Sequence, residues 1–208
     1  MRNLLFVPLI CLVASSAIAD DSKKAEAFEN RIQQLEKRVA ELEAFTAPII
    51  AKQNKEKRIN QQRLNARERM QKDSKAYSNE QLREIESLYQ VANKQWRTQQ
   101  GKQSLEKLVA NFDKANRTGC ALLYLGQMSK KQERENYLQR AIAGFSDCYY
   151  GDGVQVGAYA RYYLAYHYKE KGMDKQAENL FKELATQYPD AIDHRGQLLA
   201  DLMTQTKS

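Results

Sequence analysis

Apolar residues in this 208-residue chain recur in threes and fours, the period of helices and not the alternation of strands. The first clear run is Phe28, Ile32, Leu35, Val39 and Leu42, a 4-3 spacing with Ile32 and Val39 at heptad positions a and Leu35 and Leu42 at d. Arg31 and Arg38 fall at g, and Glu36 and Glu43 at the e positions five residues on, so in a parallel assembly each Arg meets a Glu of the neighbouring chain. The pattern predicts a coiled coil over residues 24–50 that joins two or three chains. The other reading is an amphipathic helix packed on the chain's own C-terminal part. Pro48 is expected to end or kink this helix, because proline lacks the N–H and disfavours helix in the residue before it. Residues 51–77 hold few apolar positions, Ile59, Leu64 and Met70, without a clean period, and read as a basic polar linker or a helix.

From Ser78 the stripes are helical again. Ser78-Asn79-Glu80-Gln81 is a capping box, followed by Leu82, Ile85, Leu88, Tyr89, Ala92 and Trp96 on one face. Further helices are predicted near 103–113, 118–129, 131–148, 156–171, 173–187 and 190–204, with Tyr149–Gly153 as a loop. Their short connections imply antiparallel neighbours. The expected fold class is all-α, with a helical domain over 78–208 that is large enough for one buried core.

Composition agrees. Nine Gly and three Pro leave Ile49–Tyr188 free of proline, which argues against sandwiches, barrels and Gly-rich α/β enzymes. Residues 1–19 read as a secretory signal peptide, with Arg2, the apolar run Leu4–Ala14 and Ala17-Ile18-Ala19 before the cleavage point. That predicts an exported chain, periplasmic in a bacterium. Cys120 and Cys148 would then be either one disulfide or two buried thiols. Of the +7 net charge, residues 52–75 alone hold nine basic and three acidic side chains. Export argues against nucleic acid as the partner of this stretch. An anionic lipid or glycan surface is one candidate, and a solvated helix face is the other. The two histidines, His167 and His194, have no ligands at metal spacing, and no nucleophile or phosphate-loop motif occurs. No metal, cofactor or catalytic residue is expected.

Residues 158–189 add a repeat signature. Leu164-Ala165, Tyr168, Gly172, Ala177, Phe181 and Pro189 resemble one tetratricopeptide (TPR) unit. Ala141 and Phe145 stand 36 residues before Ala177 and Phe181, and Leu125-Gly126 stand 39 before Leu164-Ala165, as a looser copy. The TPR likeness implies that Leu164, Ala165 and Tyr168 pack within the repeat. It also implies a groove lined by Tyr159, Tyr162, Tyr166 and Lys169 that holds a peptide, the alternative being a tyrosine stripe buried as core. Signal, coiled coil, polar linker and helical repeats in this order resemble the CpoB (YbgF) family of periplasmic cell-division coordinators. The resemblance implies a non-enzymatic oligomeric adaptor that contacts envelope proteins.

Overall fold

A computed structural model of the chain describes the backbone of residues 10–205 and the side chains of residues 24–203. The signal-peptide reading of 1–19 lies outside the described side chains. The described chain is all-helical: α1 (Ile10–Ala76), α2 (Asn79–Lys94), α3 (Gln99–Asn111), α4 (Asn116–Met128), α5 (Lys131–Gly144), α6 (Val156–Glu170), α7 (Asp174–Gln187) and α8 (Leu199–Gln205). It divides into two units, Met1–Gln53 and Asn54–Ser208. Among the described residues no helix is long and apolar enough to cross a membrane.

The described part of the first unit belongs to α1. Pro48 does not end that helix but lies inside it. One missing N–H deprives only the Ala44 carbonyl of its usual partner, while good helix formers flank the site on both sides. The Thr46 hydroxyl donates to the Leu42 carbonyl at 2.8 Å, adding a local bond in the same turn.

The second unit starts at Asn54 and not at 78, because the basic stretch is its first helix. Gln62, Ala66 and Asp73 are buried, Ala66 to 1 % exposure. They lie on one helical stripe with Ile59 and Arg69, at spacings of three and four. Most of that stripe is polar, which is why hydrophobic periodicity could not find it. Its contacts are hydrogen bonds to successive loops. Asp73 Oδ2 accepts from the Asn116 N–H at 2.8 Å, and Arg69 Nη2 donates to the Lys114 carbonyl at 3.0 Å. Arg69 also pairs with Asp147 at 3.0 Å, and Gln62 Nε2 donates to the Asp190 carbonyl at 3.0 Å. The helix therefore crosses the loops at 112–116, 147–153 and 190–196 in reverse chain order. Lys57, Arg63, Arg67, Lys72 and Lys75 face solvent.

Consecutive helices from α2 to α7 pack on one another, and α2, α4 and α6 also touch in series, forming one layer. The main core joins Leu105, Leu108, Leu122, Leu125, Leu138 and Val156, all essentially inaccessible. A smaller cluster of Ala158, Leu184, Ala191 and Leu199 closes the C-terminal end. The Ser78 capping box forms as expected, with both reciprocal bonds present. The Gly172 turn forms as well: at φ 72° it lets the Met173 N–H reach the Tyr168 carbonyl at 2.9 Å.

Two helices are shorter than expected. α5 stops at Gly144, not 148, and the segment 190–198 is loop, with helix only from Leu199. Asp193 Oδ1 takes the N–H groups of Arg195 and Gln197 at 2.9 and 2.8 Å, which competes with helix there. The loops before α6 and α8 match each other bond for bond. Tyr150 N–H donates to Val154, Gly153 to Tyr150 and Val156 to Cys148; Asp193 donates to Gln197, Gly196 to Asp193 and Leu199 to Ala191. Every partner is displaced by 43 residues. So are the bridges Tyr149–Gln155 and Ile192–Leu198, and the left-handed glycines Gly153 and Gly196. The 36-residue offset is thus corrected to 43: the loop, which carries little apolar pattern, sets the register.

Candidate interaction groove

The layer of α2, α4 and α6 presents a connected series of aromatic rings. On α6, Tyr159 and Tyr162 stack with centroids 5.9 Å apart, and Tyr162 meets Tyr166 at 4.8 Å. Tyr166 reaches Phe181 of α7 at 5.3 Å. In the other direction Tyr159 contacts His194 at 5.5 Å, His194 contacts Tyr150 at 5.2 Å, and Tyr150 contacts Tyr124 of α4 at 5.5 Å. Tyr124 touches both Tyr89 of α2 and Trp96. One ladder thus runs from α2 to α7.

Its helical phase follows from the spacing. Leu164, Ala165 and Tyr168 are buried, whereas Tyr159, Tyr162, Tyr163 and Tyr166 are half-buried and Lys169 is exposed. Each ring is seated on the core by one edge and leaves another accessible. Arg97, Gln127, Arg134, Tyr162, Tyr163 and Tyr166 surround a cleft of about 420 Å³ at this surface. Burial, with Tyr166 next in importance, pushes the Tyr162 phenol up to about 12. Tyr159 is raised further, again chiefly by burial. The hydroxyls therefore stay protonated at neutral pH, able to donate and accept.

Sequence reasoning placed Tyr159, Tyr162, Tyr166 and Lys169 on one face, and they share it. It left Tyr163 out of the groove, and it missed Trp96, Tyr124, Tyr150 and the ring of His194. A legible signal existed: Tyr89, Tyr124 and Tyr159 stand 35 residues apart, one on each helix of the layer. His194 could not be placed, because it reaches the ladder through a loop. There Nδ1 lies 2.7 Å from Asp152 Oδ2, joining the two equivalent loops. That imidazole holds the Asp152 carboxyl below its ordinary range against the opposing effect of burial.

Cys120 and Cys148 are free, buried thiols, so the bridge alternative does not hold in this structure. Cys120 Sγ donates to the Tyr149 carbonyl at 3.3 Å, while Cys148 packs against Gly119. Burial pushes the Cys148 thiol up to about 12 and Cys120 higher still, so neither is a thiolate at neutral pH. Among the described residues no three of His, Cys, Asp or Glu gather at metal-binding distance.

In the first unit Phe28, Ile32, Leu35, Val39 and Leu42 are all exposed, between 46 and 71 %. Phe45, Ile49 and Ile50 continue the exposed apolar face, with Ile49 at the next d position. No protein-family model, curated protein or solved structure matches the chain.

Proposed function

We propose that the chain is an exported, non-enzymatic adaptor of the cell envelope that self-associates through residues 24–50 and holds a peptide segment of a protein partner on the tyrosine ladder. The observation that carries this is the ladder itself. Half-exposed rings on α4, α6 and α7, joined through the buried Tyr150, offer a partly apolar surface with hydroxyls along it, which suits an extended or helical peptide. Paired helices with small residues at their contacts support the TPR-like reading. The exposed seam with its Arg31–Glu36 and Arg38–Glu43 pairing supports a parallel coiled coil of two or three chains. With the N-terminal signal pattern, these keep the likeness to CpoB-type division coordinators as the favoured context. Capture of a partner from envelope extract by the full chain is expected to fail with Tyr162→Ala/Tyr166→Ala, at unchanged helical content. Unchanged capture would sink the groove.

The second reading is docking on an anionic membrane or glycan surface, and it is favoured by the solvent-facing Lys57, Arg63, Arg67, Lys72 and Lys75. Because the same helix is core on its other side, the test is substitution of these five by Gln and not deletion. Loss of sedimentation with vesicles containing phosphatidylglycerol, with partner capture retained, would favour it.

A further inference from the structure

Beside the tyrosine cleft lies a second opening of about 730 Å³, lined by Lys130, Lys131, Arg134, Lys171, His167 and Glu170 among others. The two share Arg134, His167 and Glu170 and so form one continuous depression. Its charge is lopsided, four cationic side chains against one carboxylate. Lys171 is bound to Glu135 at 2.9 Å, and Arg134 stands 3.7 Å from Glu170. Lys130 and Lys131 are exposed and make no ion pair among the described residues.

Two further features face this opening. The first is the N-terminus of α5, whose N-cap residue Lys130 makes no side-chain capping bond. The first-turn carboxylate, Glu133, turns instead to Lys102 at 2.9 Å. Lys131, the first residue of the helix, has φ 49°, so the helix starts on a left-handed turn. The second is His167, only 5 % exposed. Its Nε2 is buried without a hydrogen-bond partner, and the nearest carboxylate oxygen, Glu135 Oε2, is 3.8 Å away, beyond bonding reach. The two uncommitted lysines, with Arg134 beside them, lack an oxyanion.

We propose that this depression is an oxyanion site that receives a carboxylate of the peptide segment lying on the tyrosine ladder. Lys130, Lys131 and Arg134 supply the charge and donate the hydrogen bonds, and the ring of His167 in the lining senses the added charge. Arg97, at the far side of the tyrosine cleft, extends positive charge along the same path, which fits an acidic segment better than a single small ion. The site stands on the cleft alone; its assignment to a peptide rests on the groove reading.

The test uses the full chain and the ring resonances of its two histidines, followed by NMR through pH titrations with triglutamate, inorganic phosphate and trilysine. Burial first, and then the neighbouring Lys171, Arg134, Glu135 and Glu170, set the starting midpoint of His167. Triglutamate is expected to raise that midpoint by about one pH unit, and trilysine is expected not to. Lys130→Ala/Lys131→Ala, both at exposed positions, should weaken triglutamate about tenfold, whereas Lys107→Ala, exposed and outside both openings, should change it less than about twofold. An unmoved His167, or equal binding by the lysine variant, overturns the site. Binding of phosphate but not triglutamate overturns the carboxylate assignment. Triglutamate binding as expected, together with partner capture that survives Tyr162→Ala/Tyr166→Ala, overturns the peptide assignment and leaves the oxyanion site standing.

Discussion

Gly153 has φ 98°, and a Cβ there would stand 2.8 Å from Gln62 Cβ and 3.0 Å from the Arg63 nitrogen. Neither backbone strain nor the close approach can relax without moving α1 or the loop. Gly153→Ala is expected to lower unfolding free energy by about 1–3 kcal/mol. Gly151→Ala, where nothing lies within 4 Å, should cost less than about 0.5 kcal/mol in the same urea titration. His167 supplies a second test. Burial first, then Lys171 and Arg134, hold its pKa below the ordinary histidine value. The unfolded chain then binds the proton first as pH falls, so the contribution of the neutral ring is complete above about 6.5 and is lost as pH falls through the lower, folded value. Stability of the parent should fall between pH 7 and 5 more steeply than that of His167→Gln, read as urea midpoints. Most of the groove tyrosines were legible as single residues, because α6 is regular and its phase follows from spacing. His194 and Tyr150 were not, since a loop's path decides where their rings go.

Among the elements, α1 departs most from expectation. Its second half read as a linker or a helix without a packed face, because hydrophobic patterning counts only apolar contacts, and this helix is held by Gln62, Arg69 and Asp73. Asp73 serves as a cap supplied from outside: Ala115, the N-cap of α4, makes no side-chain bond, and Asp73 takes the Asn116 N–H in its stead. Asn116 in turn brackets Tyr149, accepting its N–H and donating to its carbonyl at 2.8 and 2.7 Å. Asp73→Ala is expected to cost about 1–3 kcal/mol, because it orphans a buried amide and frees Arg69 from one partner. Asp73→Asn, which keeps an acceptor oxygen, should cost less, and thermal melts would rank the two. The first half of α1 makes a separate prediction. Leu35→Glu/Leu42→Glu places acid on the exposed seam and should reduce the light-scattering mass to that of one chain, without loss of helix signal; an unchanged mass would remove the coiled coil.

Across the second unit, the all-α class and most helix boundaries could be read from the sequence, since amphipathic stripes and the Ser78 and Gly172 signals are local. The match of the two loops at 43 residues could not. Hydrogen bonds in the loops fix it, and the matching residues, Phe145/Tyr188, Asp147/Asp190 and Gly153/Gly196, are too sparse to outweigh the denser alanines and aromatics of the helices. If α1 is integral to this unit, amide exchange at residues 58–73 should slow to the level of α4, and Asp73→Ala should speed both together. Fast exchange in 58–73 beside a protected α4 would contradict the packing described.

The reverse-order crossing of three loops by α1 also limits how such a chain can change in size. Successive loops meet the helix about two turns apart, near Arg69–Asp73, Gln62–Arg69 and Lys55–Gln62. Two turns rise about 10.5 Å, close to the spacing of packed helices. The helix is therefore a ruler graduated in repeats. Duplicating a 43-residue module alone would leave its loop without a mark to dock on, so lengthening the stack requires lengthening the ruler by about two turns as well.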